Sequence, residues 1–336
     1  MSAHARRPGW PICFAEVLAA RERIRPYVRP TPLRSYGPLD EAVGGGVRLF
    51  VKHENHNPTN AFKVRNGISV MTALSAEERK RGVVAASRGN WGQGLAWAGR
   101  ALGVPVTICV PAGNNPEKNA AVKGFGADLI EEGRDYDEAV CVAERLVESR
   151  GLRFVHATND PLVVAGAATF TLEIFEEIGS LPDGGSLDAL VLSVGGGSQA
   201  VGALVVTREL SPATTVYGVQ ARQAATIHDS WHARRPLTGV LADTIADGLA
   251  TRLVYEGTFT ALLEGLAGFV TVTEAEIAAA VRLLLKTTHN LAEGAGAAGL
   301  AGLLALREKL AGRSVAIVIS GSNIDEATLR RVLTGA

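Results

Sequence analysis

The sequence predicts an α/β protein, its parallel sheets covered by helices on both faces, and three observations carry that prediction. Short apolar runs alternate with segments of helical apolar spacing along the whole chain, as in strand–helix–strand units whose strands are buried on both sides. Of 336 residues, 38 are glycine and only 5% are aromatic, a balance that favours tight strand–helix turns over a β-sandwich core. Three apolar runs end in loops of Gly, Ser and Asn, at 87–90, 195–199 and 320–323, and open parallel sheets bind ligands beyond such strand ends.

Residues 1 to about 12 read as a loose arm. Residues 14–24 have helical apolar spacing, and Pro26, Pro30 and Pro32 then force the chain to extend. The apolar run 47–51 is a strand whose extension stops at Pro58, and a helix begins near Arg65. Ser75 with Glu78 forms a capping box for a short helix that Gly82 ends. Strand 83–86 leads into Ser87-Arg88-Gly89-Asn90-Trp91-Gly92-Gln93-Gly94 and a helix with Leu95, Ala98 and Leu102 on one face. The alternation repeats through strands at 104–110, 127–130 and 153–157 and helices at 116–123, 136–149 and 162–178. Strand 190–194 opens through Gly195-Gly196-Gly197-Ser198-Gln199 onto a helix, and 216–219 is the next strand. Thr273 and Glu276 make a second capping box, and the last apolar strand, 314–319, ends in Ser320-Gly321-Ser322-Asn323 before a closing helix.

Lys+Arg and Asp+Glu balance at 34 each, so neither nucleic-acid binding nor an acidic arm is expected. Cys13, Cys109 and Cys141 are widely spaced without a CxxC, which indicates neither a disulfide framework nor a zinc ribbon. The N-terminus lacks the apolar stretch of a secretory leader, and no apolar run approaches the ~20 residues of a membrane span. A cytoplasmic protein with no membrane association is expected. His53 and His56 do not form H-E-x-x-H; His228 and His232 lie one helical turn apart, where a packed pair is a commoner outcome than a metal site.

Lys63 follows Phe62 and precedes Arg65 by two residues. A lysine against an aromatic ring with a second cation nearby is driven toward its neutral, nucleophilic form, which a Schiff base requires. The turn 195–199 at a helix N-terminus offers free N–H groups and a positive dipole end, suiting phosphate. Rival readings stay open here. Residues 195–200 satisfy the dinucleotide pattern G-x-G-x-x-A, although strand 216–219 is followed by Gln220 and Ala221 rather than a ribose-binding carboxylate. Residues 196–200 are one glycine short of a hydrolase elbow, with Ala200 in its place, and a bare packing turn is a further option. No G-x-x-x-x-G-K-[ST] occurs, which excludes a P-loop kinase.

Taken in order, Arg29-Pro30-Thr31-Pro32-Leu33, Lys52-His53-Glu54, and the segments 58–65, 87–93, 195–198, 246–249 and 320–323 add up to more. Together they resemble the fold-type II, tryptophan synthase β-like pyridoxal-phosphate enzymes of the serine/threonine dehydratase group, over nearly the whole chain. The resemblance implies a small domain at 49–157 and a large one from 1–48 plus 158–336, with pyridoxal 5′-phosphate in the cleft between them. It implies that Lys63 carries the cofactor as a Schiff base and shuttles the Cα proton, and that Phe62 packs near the ring. Asn90 would bond the 3′-oxygen, Gly195, Gly196, Gly197 and Ser198 the phosphate, and Ser320 the pyridine nitrogen. Ser87, Arg88, Gly89, Asn90, Trp91 and Gln93 form the loop that binds the substrate carboxylate. A serine at the ring nitrogen protonates it weakly, which disfavours a long-lived carbanion and favours early loss of a β-hydroxyl. The implied activity is dehydration and deamination of L-threonine or L-serine to a 2-oxo acid and ammonia, by a homodimer.

The chain departs from that pattern in several places. Asn60 and Ala61 stand where relatives carry Gly-Ser, Trp91 where histidine is usual, and Ser322 where glycine is usual. Arg88 occupies a slot usually small, in which racemases of the group place a serine as their second base, so racemisation is not expected. Gln220, Ala224 and Thr226 replace the acidic ligands some relatives offer a divalent cation, and no metal site is expected. Arg88 and Trp91 raise an alternative substrate with a bulkier or acidic β-substituent, such as phenylserine or hydroxyaspartate. A β-elimination or β-replacement lyase, an NAD-binding oxidoreductase and a non-catalytic cofactor-binding protein complete the alternatives.

Overall fold

The computed structural model describes residues 5–182, 185–240 and 242–335. The strands are β1 (Leu33–Arg34), β2 (Arg48–Lys52), β3 (Val83–Ala86), β4 (Val106–Val110), β5 (Asp128–Glu131), β6 (Arg153–Phe154), β7 (Ala189–Ser193), β8 (Thr215–Ala221), β9 (Gly268–Val272) and β10 (Ser314–Val318). They build a six-stranded sheet in the order β1-β2-β10-β7-β8-β9 and a four-stranded sheet in the order β5-β4-β3-β6. Pairing is parallel throughout except that β1 runs antiparallel to β2.

Burial on both faces explains why the strands read as unbroken apolar runs. In β7, Leu190 and Leu192 enter one core cluster while Ala189 and Val191 enter another across the sheet. In β10, Ala316 and Val318 side with the first cluster and Val315 and Ile317 with the second. Strand β3 and the helix Phe14–Ile24 fall where the apolar pattern puts them. No helix among the described residues is long and apolar enough to cross a membrane.

Four features depart from the sequence reading or had no signal in it. Residues 5–12 are not a loose arm, because Trp10 and Ile12 are buried and Trp10 Nε1 donates to Glu264 at 2.9 Å; residues 1–4 lie outside the described residues. Strand β2 joins the six-stranded sheet rather than the four-stranded one. Leu49 and Val51 join one cluster of that sheet and Phe50 the other. Edge strand β9 had no clear apolar alternation to mark it. The helix Gly294–Ala305 sets four glycines, which weaken it, among Ala and Leu, which favour it, and it is apolar all round, so no periodicity marks it. It forms because it is buried against the sheet at such close range that a Cβ on Gly302 would lie 2.1 Å from Val219 Cγ2.

The connections after β3, β7 and β10 leave the carboxyl ends of their strands and face a common space. One backbone contact fixes the fourth wall. Ala61 bridges Gly321 in antiparallel fashion, flanked by Phe62 N–H to Ser320 O at 3.0 Å and Ser322 N–H to Asn60 O at 2.9 Å. Asn60 has φ +54°, a left-handed conformation that glycine and asparagine tolerate, which accounts for asparagine at this place. Ser322 is not among the residues with positive φ, so its backbone does not demand glycine.

Candidate active site

A cavity of about 500 Å³ opens between the two sheets. It is walled by Phe62, Lys63, the loop Ser87 to Trp91, the turn Gly195 to Gln199, and Ser320. Sequence segments 257 residues apart thus meet at one place through the bridge between Ala61 and Gly321.

Lys63 opens the helix Lys63–Met71. Its Nζ lies 4.7 Å from the Phe62 ring centroid and 3.5 Å from Ser198 Oγ, so lysine and glycine turn share the cavity. Burial around the amine lowers its pKa to about 8. Arg65 plays no part in that, contrary to the sequence reading. Its guanidinium is buried in bonds to Glu54 Oε2 at 2.7 Å and Glu173 Oε1 at 2.5 Å, which neutralise it and raise its pKa further. Lys52 extends this buried network to Glu173 at 2.9 Å and Glu177 at 2.7 Å.

The turn 195–197 ends on the helix Ser198–Leu210 with Gly197 at φ +100°. A Cβ on Gly196 would lie 2.0 Å from Thr158 Oγ1, and Thr258 Oγ1 donates to Gly196 O at 2.8 Å, so the turn is held from two sides. The N–H groups of the first helical turn lack intrahelical partners, a geometry able to hold an anion.

In the loop after β3, Ser87 Oγ accepts from the N–H of Gly92 at 2.8 Å and of Gly89 at 3.3 Å, which shapes the loop. Asn90 starts the helix Asn90–Leu102, donates from Nδ2 to Glu293 Oε1 at 2.6 Å and accepts from Asn323 Nδ2 at 2.7 Å. Trp91 is buried in the wall, with no partner for Nε1. Arg88 is exposed, and its guanidinium has no bonded partner among the described residues. Gln93, expected in this group, is buried one turn into the helix and does not line the cavity. Ser320 Oγ has only a long contact, 3.4 Å to Ala295 O.

Several wall residues had no signal in the sequence reading. Glu293 precedes the glycine-rich helix that no periodicity marked; burial raises its pKa to about 7 against the opposing pull of Lys118 and Asn90. Lys118 pairs with Asp247, which lies in the 246–249 segment quoted above. Arg252 reaches Asp137 at 2.5 Å across the cavity mouth. His228 and His232 lie away from the cavity, packed at 4.4 Å between ring centroids, with His228 Nδ1 on Asp229 and His232 Nε2 on Phe269 O.

Pyridoxal phosphate fits this donor set. Lys63 offers a buried amine with no carboxylate partner, the glycine turn beside it suits an anion, and the Ser320 hydroxyl, held only by a long bond to Ala295 O, suits a ring nitrogen. A family profile described as pyridoxal-phosphate dependent enzyme matches residues 24–321. The chain belongs to that family. Membership of the pyridoxal-phosphate dependent enzymes displaces the dinucleotide reading. The hydrolase reading falls with it, since the only side chain bonded to Ser198 Oγ among the described residues is Lys63. Among its relatives, the L-threonine ammonia-lyase of Thermotoga maritima is 38% identical over 96% of this chain and 78% of that one. The L-threo-3-hydroxyaspartate ammonia-lyase of Saccharomyces cerevisiae is 31% identical over 96% of both. The processed form of threonine deaminase isoform 2 from Solanum lycopersicum superposes with a TM-score of 0.88 at 31% identity, covering 96% of this chain and 92% of that structure.

Proposed function

We propose that this enzyme dehydrates and deaminates a β-hydroxy α-amino acid, by default L-threonine or L-serine, to a 2-oxo acid and ammonia. The observation that carries this reading is the buried Lys63 amine 3.5 Å from Ser198 at the glycine turn. When bound, the cofactor supplies the electron sink for the Cα–H bond. The chain supplies the rest. N–H groups of 195–198 and the helix dipole behind them hold the phosphate. Lys63, with a pKa near 8, is poised to take and return the Cα proton around neutrality. Ser320 offers the ring nitrogen a hydroxyl rather than a carboxylate, which limits charge build-up on the ring. Backbone N–H groups at the start of the helix Asn90–Leu102 would receive the substrate carboxylate, and Asn90 would hold the cofactor's 3′-oxygen. Phe62 and Trp91 keep water from the reacting carbon.

The two sheets serve as cores of two domains with the cofactor between them, and we place the enzyme in the cytoplasm as a homodimer. The three cysteines are free in keeping with a reducing compartment, and sedimentation velocity checks the dimer. The deciding experiment is 2-oxo acid release by the holoenzyme from a panel of β-hydroxy amino acids, with Lys63→Ala as control. A coloured enzyme inert toward the whole panel refutes the reading.

A second reading rests on Arg88. A guanidinium without a partner in the cavity wall suits a second carboxylate on the substrate, as in hydroxyaspartate. Arg88→Ala then lowers kcat/KM for hydroxyaspartate about tenfold or more relative to threonine, the worth of one charge-assisted bond. Unchanged relative preference excludes the role.

A further inference from the structure

We infer that Glu293 is the acid that protonates the departing β-hydroxyl, and that it recovers its proton through a second cavity behind the first. The inference rests on the lyase reading above. The second cavity, of about 150 Å³, is floored by Asn323, Asp325, Thr328 and Arg331. Glu293, Lys118, Asp243 and Asp247 line both spaces, so the Glu293 carboxyl stands in the partition between them.

The partition is built around that carboxyl. Glu293 N–H donates to Gly321 O at 3.1 Å, and its Oε1 accepts from Asn90 Nδ2 at 2.6 Å. A Cβ on Gly321 would stand 2.5 Å from Oε1, so glycine there makes room for the acid. The nearest cation, Lys118, spends its amine on Asp247 and forms no bond to Glu293. The other charged groups lining these spaces are Asp243 in both, Asp325 and Arg331 in the second, and Lys63, Arg88, Asp135, Asp137 and Arg252 in the first. Asp325 is engaged as the cap of the closing helix, accepting from Thr328 N–H at 2.8 Å. A buried carboxyl without a salt bridge stays protonated near neutrality, in keeping with its raised pKa.

The chemistry has a place for such a group. Lys63 accepts the Cα proton in the step that prepares elimination, so a separate proton is needed as the hydroxyl leaves. The electron pair released at Cα forms the Cα=Cβ bond as the Cβ–O bond breaks with its pair on oxygen, an O–H bond forms with the Glu293 proton, and water departs. Glu293, now a carboxylate, regains its proton by exchange with bulk solvent through the second cavity.

Two readouts test this. Wild-type kcat for threonine falls as pH rises through about 7, where Glu293 loses its proton. Glu293→Gln lowers kcat by roughly 100-fold, as loss of a general acid does, and removes that limb, while Glu293→Asp restores part of the rate. The second readout uses apoprotein. A carboxyl with a raised folded-state pKa stabilises the fold below its unfolded value near 4.5, and that contribution is lost as pH rises through about 7. Wild-type Tm therefore falls more than Glu293→Gln Tm between pH 5 and 8. Parallel Tm curves, or a variant with wild-type kcat and the limb intact, overturn the inference. Thr328→Leu narrows the second cavity alone and lowers kcat with KM unchanged; wild-type kcat there removes the exchange route. If wild type itself releases no 2-oxo acid, it is the lyase reading that fails, and the Tm comparison still judges Glu293.

Discussion

Alanine at Gly196 is the sharpest probe of the phosphate cradle. Its Cβ would stand 2.0 Å from Thr158 Oγ1 and 2.9 Å from both Thr158 Cβ and Cγ2. Rotating the threonine cannot relieve the contact, because its Cβ does not move with χ1. Nor does Thr158 yield easily, since its N–H and that of Asn159 both donate to His156 Nδ1 at 3.0 Å. The turn 195–197 must shift instead, and its N–H groups lose their aim at the phosphate. One charge-assisted bond is worth about 1.5–3 kcal/mol, so cofactor affinity falls roughly 10- to 100-fold. Titration of the apoprotein with pyridoxal phosphate, followed by visible absorbance, measures the loss. Adding Thr158→Gly removes all three offending atoms and recovers most of the affinity. Wild-type affinity in the single variant, or no recovery in a folded double variant, refutes the steric account.

Lys63→Met abolishes the visible band of the lysine-bound cofactor and has a second, less obvious effect. The buried ammonium costs the apoprotein at most about 3 kcal/mol, because its pKa is about 8 when folded against 10.5 in the open chain. The penalty is full below pH 8 and is relieved as pH rises to 10.5, where the unfolded chain binds more protons. Apoprotein Lys63→Met is therefore more stable than wild type at pH 7, by a margin that closes at high pH; a margin independent of pH contradicts this. Arg65→Met leaves Glu54 and Glu173 buried without their shared partner and destabilises by about 3–5 kcal/mol, read from urea unfolding. A loss under about 1 kcal/mol would show that the network relaxes or admits water.

The parts of this fold written in local pattern were legible. Apolar runs bounded by Gly and Pro located β3 and β10, and the capping boxes at Ser75 and Thr273 are present as hydrogen bonds. What stayed hidden depends on partners remote in sequence. Arg65 reads as a cation beside Lys63, yet Glu173, which neutralises it, is 108 residues away. Glu293 meets Asn90 across 203 residues, and the helix that follows it is buried all round and so shows no amphipathic period. The arm at 5–12 failed for the same reason, because Trp10 finds Glu264 only in the folded chain.

The place of β10 has a consequence for synthesis on the ribosome. It lies between β2 and β7, so the strand at 48–52 has no parallel neighbour until residues 314–318 have been made. The four-stranded sheet closes within 83–154 and can form while the chain is still growing. The lysine's own sheet waits for nearly the last stretch to emerge. A nascent chain that stalls before residue 314 exposes the apolar edge of β2, the hazard to which chaperones respond, and has not yet acquired the contact that seats Lys63 beside Ser320.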